Sequence, residues 1–233
     1  MITVTKLNLV TQMQFVLIFC LILTWGGTLA QTITSNGTGK HGDFTYEFWK
    51  DAGGTGTMTL GPEGTFTCEW NGINNILFRT GHRPGSFKST VSYSVDYKPD
   101  GNSYLCLYGW TTDPLIEYYV VESWGSWRPP GAKPIGTVSS DGGTYDIYKT
   151  ERVNQPSIRG RTTFYQFWSV RTEKRTDGTI TLANHVNEWA KHGLELGNIY
   201  EVSFTIEGYQ SNGTAKVNRL SITPGGNNTG SEN

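Results

Sequence analysis

Two glutamates stand in unusual company. Glu117 lies in Pro114-Leu115-Ile116-Glu117-Tyr118-Tyr119-Val120-Val121-Glu122, and Glu207 in Val202-Ser203-Phe204-Thr205-Ile206-Glu207-Gly208-Tyr209. Both runs are β-branched and aromatic, the composition of strands, and a carboxylate in such a strand is costly unless it faces a wet surface. Alternation puts Glu117 on one face with Tyr119, and Tyr118, Val120 and Glu122 on the other. It likewise puts Ser203, Thr205, Glu207 and Tyr209 opposite Phe204 and Ile206. Two carboxylates on polar, aromatic sheet faces suit retaining glycoside hydrolysis, with one as nucleophile and one as acid/base, their carboxyl groups about 5 to 5.5 Å apart. The competing reading is two exposed glutamates on solvated strands.

The wording around both residues decides between these. PLIEYYVVESWGSWRPPG (114 to 131), SSDGGTYDIYKTERVNQPSIRG (139 to 160), RTTFYQFWSVR (161 to 171), NHVNEWAKHGLELG (184 to 197) and TIEGYQSNG (205 to 213) stand in one order and together resemble glycoside hydrolase family 11, the small endo-1,4-β-xylanases. The resemblance covers nearly all of residues 40 to 223.

Carried over position by position, it implies Glu117 as nucleophile and Glu207 as acid/base, with Tyr108 and Gln166 supporting Glu117. Tyr119 matches a tyrosine that contacts the sugar at the cleavage point, and Trp49 a platform that stacks on the nonreducing side. Arg152 and Pro156 fall on a segment similar to the family's thumb, a hairpin folded over the cleft. Asn75 matches a position beside the acid/base, where asparagine goes with near-neutral and aspartate with acidic working pH. Tyr104, Asn102 and Trp127 are weaker rim candidates, each equally a packing or turn residue. Two departures stand out. The thumb carries Arg159 and Arg161 where acidic residues often stand, and Glu201, beside Tyr200, replaces a substrate-side tyrosine. Glu122, of opposite parity to Glu117, is expected to pair with Arg128 or another surface base.

The elements that must position these residues are strands. The chain has 233 residues with 29 Gly, 8 Trp, 12 Tyr and 10 Phe, and only 17% are charged, which suits one all-β domain. Strand signals recur between turn clusters such as Gly61-Pro62-Glu63-Gly64 and Pro99-Asp100-Gly101-Asn102, as in a sandwich or barrel. Only Leu182 to Leu194 reads as helix, with Val186, Trp189 and Ala190 on one stripe and Gly193 as a stop. His185 is expected to be a buried, hydrogen-bonded structural residue. The resemblance implies the corresponding architecture: a β-jelly roll of two twisted antiparallel sheets, the inner one curved into a cleft, with one α-helix outside.

A net charge of −1 without a basic run gives nucleic acid no electrostatic footing. A neutral polymer bound on aromatic faces, xylan by the resemblance, fits better. No cofactor is expected, and His41, His82, His185 and His192 show no metal-ligand spacing with the cysteines. A monomer is expected. Residues 1–30 read as a signal peptide, with the apolar core Phe15 to Trp25 followed by Gly26-Gly27-Thr28-Leu29-Ala30, and Met13 is an alternative initiator. Eleven apolar residues are too few for a spanning helix, so the product is expected to be secreted and free of the membrane, beginning at Gln31. Cys20 leaves with that segment. Cys68 and Cys106 remain, either paired in an oxidising compartment or free and buried. Residues 31–223 then form the catalytic domain, and 224–233 a disordered tail or linker stub. Triplets at Asn36, Asn212 and Asn227 fit the glycosylation pattern. A noncatalytic sugar-binding module and a β-glucanase are the alternative functions; the first has no need of both glutamates.

Overall fold

The computed structural model describes residues 30–225; the expected signal segment and most of the expected tail lie outside them. The chain forms a β-jelly roll with one helix. Its strands are β1 (Gln31–Ile33), β2 (Gly37–His41), β3 (Phe44–Lys50), β4 (Thr55–Leu60), β5 (Phe66–His82), β6 (Thr90–Thr112), β7 (Ile116–Trp124), β8 (Gly136–Ser140), β9 (Gly143–Ser157), β10 (Gly160–Arg171), β11 (Asp177–Thr181), β12 (Asn198–Ile199) and β13 (Val202–Thr223), with α1 at Leu182–Lys191.

The hydrogen-bonded path runs β1-β4-β5-β13-β6-β7-β10-β9-β8, with β3 also on β5, β2 on β3, and β11 and β12 on β6. Two sheets are therefore one network. The long strands β5, β6 and β13 pass through both layers, and register shifts mark their irregularities: β13 slips against β6 between Tyr209 and Asn212, where Gln210 has φ +47°, and again between Val217 and Arg219. Extra residues of this kind bend a strand and increase its twist. A second difference from the expected pattern is that β7 and β10 pair in parallel. Parallel neighbours need a long crossover, and residues 125–159, which carry β8 and β9, supply it.

Alternation sorts the side chains into two clusters. Leu105 and Leu107 of β6, Tyr118 and Val120 of β7, Phe167 of β10, and Phe204 and Ile206 of β13 enter the main core between the layers. Tyr104, Cys106, Tyr108 and Trp110, with Tyr119, Phe164 and Trp168, form a second cluster on the opposite face. That face is concave and holds the cleft. The continuous burial of β6 from Ser103 to Thr111 follows, because each of its faces is covered by a different apolar layer.

The helix runs Leu182–Lys191 and buries Leu182, His185 and Trp189, with Val186 partly covered. Ala190, expected on the buried stripe, is exposed: the core meets the Leu182/His185/Trp189 side of the helix. Gly193 ends it at φ +71°, and the amides of Gly193 and Leu194 return to the carbonyls of Ala190 and Trp189, as in a glycine-terminated helix. His185 is fully buried against the Tyr145 ring, with centroids 4.7 Å apart. Neither of its ring nitrogens has a hydrogen-bond partner, against expectation. Burial lowers its pKa to about 3, so it is neutral.

Cys68 and Cys106 are free and buried. Cys68 belongs to the main core and Cys106 to the cleft-side cluster. Along β13 their partners are Ala215 and Thr205, roughly 30 Å apart at the rise of a strand, far beyond the reach of a disulfide. Glu122 is fully buried. It accepts hydrogen bonds from Tyr93, Tyr145 (2.5 Å) and Nε of Arg175 (2.6 Å). Arg128, its expected partner, instead binds Asp146 at 2.8 Å. The base is thus a partly buried arginine brought from the segment before β11, and its distance along the chain hid it from local reading.

Candidate active site

The concave face carries a cleft of about 430 Å³. All nine sequence-designated residues line it: Glu117, Glu207, Trp49, Asn75, Tyr108, Tyr119, Arg152, Pro156 and Gln166. β3 and β5 provide one wall, through Trp49 and Asn75. The floor comes from β13, β6 and β7, and the other wall from β9 and β10.

Glu117 opposes Trp110 of β6 on one side and Gln166 of β10 on the other. Its carboxylate is held by three donors: the hydroxyls of Tyr108 (2.7 Å) and Tyr119 (3.1 Å) on Oε1, and Gln166 Nε2 (2.6 Å) on Oε2. Those donors are themselves fixed. Trp110 Nε1 donates to the Tyr108 hydroxyl at 2.6 Å, Thr150 donates to Gln166 Oε1 at 3.0 Å, and Trp168 Nε1 donates to Thr150 at 2.9 Å. Tyr119 stacks flat on Trp168, with centroids 3.9 Å apart, and meets Tyr108 edge-on. A carboxylate accepting several short hydrogen bonds is stabilised in its charged form.

Glu207 is equally buried, 8% exposed against 7% for Glu117, but its Oε2 has no hydrogen-bond partner. It lies between Leu77 of β5 and Tyr104 of β6. Burial, then the negative charge of Glu117, push its pKa up to about 8, against the pull of Tyr119, Arg152 and Arg79. Burial holds the Glu117 pKa above the ordinary carboxylate value as well, although the hydrogen bonds from Tyr108, Gln166 and Tyr119 and the Arg152 charge oppose it. The hydrogen bonds thus favour the charged form at Glu117, whereas burial and the neighbouring charge favour the neutral form at Glu207.

Asn75 is two residues along β5 from Leu77, the residue opposite Glu207, so it is a diagonal neighbour of Glu207 on the same face. Its backbone is clamped by Asp51: Asn75 N donates to Asp51 Oδ1 at 2.9 Å, and Asp51 N to the Asn75 carbonyl at 3.1 Å. Its side-chain Oδ1 is buried without a partner. The β9–β10 hairpin reaches the cleft through Gln155, Pro156, Ser157, Ile158 and Arg161. Its turn is pinned by Ser157, whose hydroxyl donates to the Gly160 carbonyl (2.6 Å) and accepts from Arg159 N (3.0 Å). Arg159 also pairs with Asp113 of the β6–β7 turn at 2.9 Å.

Of the rim candidates, none lines the cleft itself. Tyr104 packs edge-on to Trp168 and lies 6.5 Å from Trp127, centroid to centroid. Trp127 is 44% exposed, and Asn102 Nδ2 points at the Tyr104 hydroxyl at 3.5 Å. Tyr209, Leu77 and Arg79 also line the cleft without having been designated from sequence. Strand parity marks each of them: Tyr209 follows Glu207, and Leu77 and Arg79 follow Asn75, at steps of two. Glu201 is buried against Arg79 and Arg83 and is not among the residues that line the cleft. Among the described residues no group of three or more His, Cys, Asp or Glu could hold a metal ion, and no helix is long and apolar enough to cross a membrane.

A coiled jelly roll with two buried carboxyl groups in an aromatic cleft is the arrangement of a glycoside hydrolase. The model of glycosyl hydrolases family 11 matches residues 41–218, and the chain belongs to that family. It is 55% identical over 204 residues to endo-1,4-beta-xylanase A of Thermoclostridium stercorarium, covering 84% of this chain and 31% of that protein. The chain thus spans about a third of the length of that relative. It is 50% identical over 204 residues to endo-1,4-beta-xylanase A of Bacillus pumilus, covering 84% of this chain and 89% of that protein. The structure of the family 11 xylanase from Neocallimastix patriciarum superposes with a TM-score of 0.77 at 40% identity, covering 84% of this chain and 99% of that one.

Proposed function

We propose that the protein is a secreted, monomeric endo-1,4-β-xylanase that hydrolyses internal xylosidic bonds with retention of configuration. The observation that carries this reading is the asymmetry of the two carboxyls: Glu117 accepts three hydrogen bonds, while Glu207 keeps an unpartnered oxygen and a pKa near 8.

In the first step Glu117 attacks the anomeric carbon. The glycosidic C–O bond breaks, and the Glu207 proton passes to the leaving oxygen. The product is a glycosyl ester on Glu117 and an ionised Glu207. Once the leaving chain has gone, Glu207 takes a proton from water, the water oxygen bonds to the anomeric carbon, and the ester bond breaks. Two inversions give net retention. Tyr108, Gln166 and Tyr119 hold the nucleophile charged and aimed, so little reorganisation is needed at reaction. Trp49 offers an aromatic face to a sugar ring, and Pro156 stiffens the thumb over the bound chain. Arg152, which forms no ion pair with a carboxylate among the described residues, lines the cleft and its charge favours the ionised form of both glutamates. Secretion rests on the apolar segment Phe15 to Trp25 and the small residues after it.

Release of reducing ends from xylan, mixed-linkage glucan and soluble cellulose, measured side by side, tests the substrate. Xylan is expected to be cleaved far faster than either glucan. Proton NMR of the first product should show the β anomer. A glucan preference, or an α anomer, would overturn the reading.

A further inference from the structure

Arg79 is a buried charge that the double displacement does not consume. It stands on β5 at the same parity as Asn75 and Leu77, is 5% exposed, and lines the cleft. Its Nη2 donates to Glu47 Oε2 at 2.7 Å, and its Nη1 lies 3.1 Å from Glu201 Oε1. Arg83 bridges the same two carboxylates from outside, at 3.0 and 2.6 Å. The four side chains make a charge-balanced quartet beneath one end of the cleft. Stability alone does not account for it, because well-packed apolar residues serve as well as buried ion pairs.

The quartet touches the reacting groups at one point. The Arg79 guanidinium carbon lies 4.8 Å from the centroid of the Tyr108 ring, and the Tyr108 hydroxyl donates to Glu117 at 2.7 Å. A cation over an aromatic face is attracted to it and fixes the ring. It also makes the phenol a stronger donor to a carboxylate. Burial and the Glu117 charge push the Tyr108 pKa well above its ordinary value, and the Arg79 charge opposes them, in line with that geometry.

We propose that Arg79 is a positioning residue for the nucleophile: Glu47 and Glu201 hold its guanidinium against Tyr108, and Tyr108 in turn keeps Glu117 ionised. This rests on Glu117 being the nucleophile. The groups facing Glu117 are Tyr108 from β6, Tyr119 on β7, Gln166 from β10, Arg152 from β9 and Glu207 from β13. Those facing Arg79 are Glu47 from β3, Glu201 from the segment before β13, and Tyr108. Arg79 and Glu201 therefore act on Glu117 with opposite signs.

The test is the pH dependence of kcat/KM on linear xylohexaose for the native protein, Arg79→Met, Arg79→Lys and Glu201→Gln, with melting temperatures alongside. Loss of the cation in Arg79→Met should move the acid limb up by roughly half a pH unit or more, with the loss carried by kcat rather than KM. Arg79→Lys keeps the charge and should restore the limb without restoring full turnover. Loss of the Glu201 charge should move the limb down. Should Arg79→Met fail to fold, the downward shift in Glu201→Gln and the unmoved limb in Arg79→Lys carry the proposal. Acid limbs that coincide in native and Glu201→Gln proteins, or in native and Arg79→Met proteins, would reduce Arg79 to a structural residue. A native protein inactive on xylohexaose would instead overturn the assigned function.

Discussion

Gln166 Nε2 lies 2.6 Å from Oε2 of Glu117, across the parallel strand pair of this fold. The register of β10 against β7 places the two residues directly opposite each other, so an amide from a distant part of the chain becomes a fixed donor to the proposed nucleophile. Because β9 continues the same wall as a hairpin that lines the cleft, the pairing that positions this donor also sets the position of the β9–β10 hairpin.

Glu207 gives a stability prediction. Its folded pKa, near 8, lies above the ordinary carboxylate value of about 4.3. Between those values the native state binds a proton that the unfolded state has lost, so stability falls as pH rises through the window. Glu207→Gln removes this liability and should raise the melting temperature at pH 8.5, with the gain shrinking toward zero near pH 4. Thermal melts of both proteins at the two pH values check it, and a gain that is constant with pH would contradict the placement of the proton.

Tyr108→Phe deletes one of three donors to Glu117 while keeping the ring. The remaining carboxylate is less well stabilised in a buried site, so the acid limb of kcat/KM should move to higher pH. Glu117→Gln in the same background removes the group concerned, and its residual activity should show no such limb. A Tyr108→Phe profile with an unmoved acid limb would mean the hydroxyl is a packing feature.

Deletion of residues 155–159 removes the hairpin tip, including Pro156 and the Arg159–Asp113 pair. That ion pair is exposed on both sides and is worth about 1 kcal/mol at most, so the melting temperature should fall by only a few degrees. Turnover on xylan should fall at least tenfold, because the tip closes one side of the cleft. Loss of stability with intrinsic turnover retained would make the tip structural.

Asn75→Asp places a second acid diagonally beside Glu207. Coupled titration then makes the protonated aspartic acid part of the active form. The native protein should have a near-neutral optimum and the variant a lower one. A bell-shaped profile that stays in place would show that the two side chains do not interact.

Much of this site was legible because strand alternation is strict: from Glu117 and Glu207 alone, parity gives Tyr119, Thr205 and Tyr209 on one face and the core residues on the other. The resemblance supplied Trp49, Asn75, Arg152 and Pro156, which periodicity alone does not mark. What stayed hidden depends on contacts distant in sequence. Glu122 finds Arg175 rather than Arg128 because β7 and the segment before β11 meet in the interior. Glu201 turned inward because Arg79 and Arg83 wait for it on and just beyond β5, which no local pattern reveals. His185 was correctly placed in the interior, but its missing hydrogen bonds follow from the Tyr145 and Trp189 rings around it. The cysteine question was settled by register, since the slip-prone length of β13 separates their partners.

The central claim is that Glu117 forms the covalent intermediate. A 2-fluoro-xylobioside with a good leaving group should form that ester and hydrolyse it slowly, so the intact protein should gain the mass of one fluoroxylobiosyl group. Proteolysis and tandem mass spectrometry should then place the added mass on Glu117. A label on Glu207 or elsewhere, or a protein that turns over xylan yet never carries the added mass, would contradict the account.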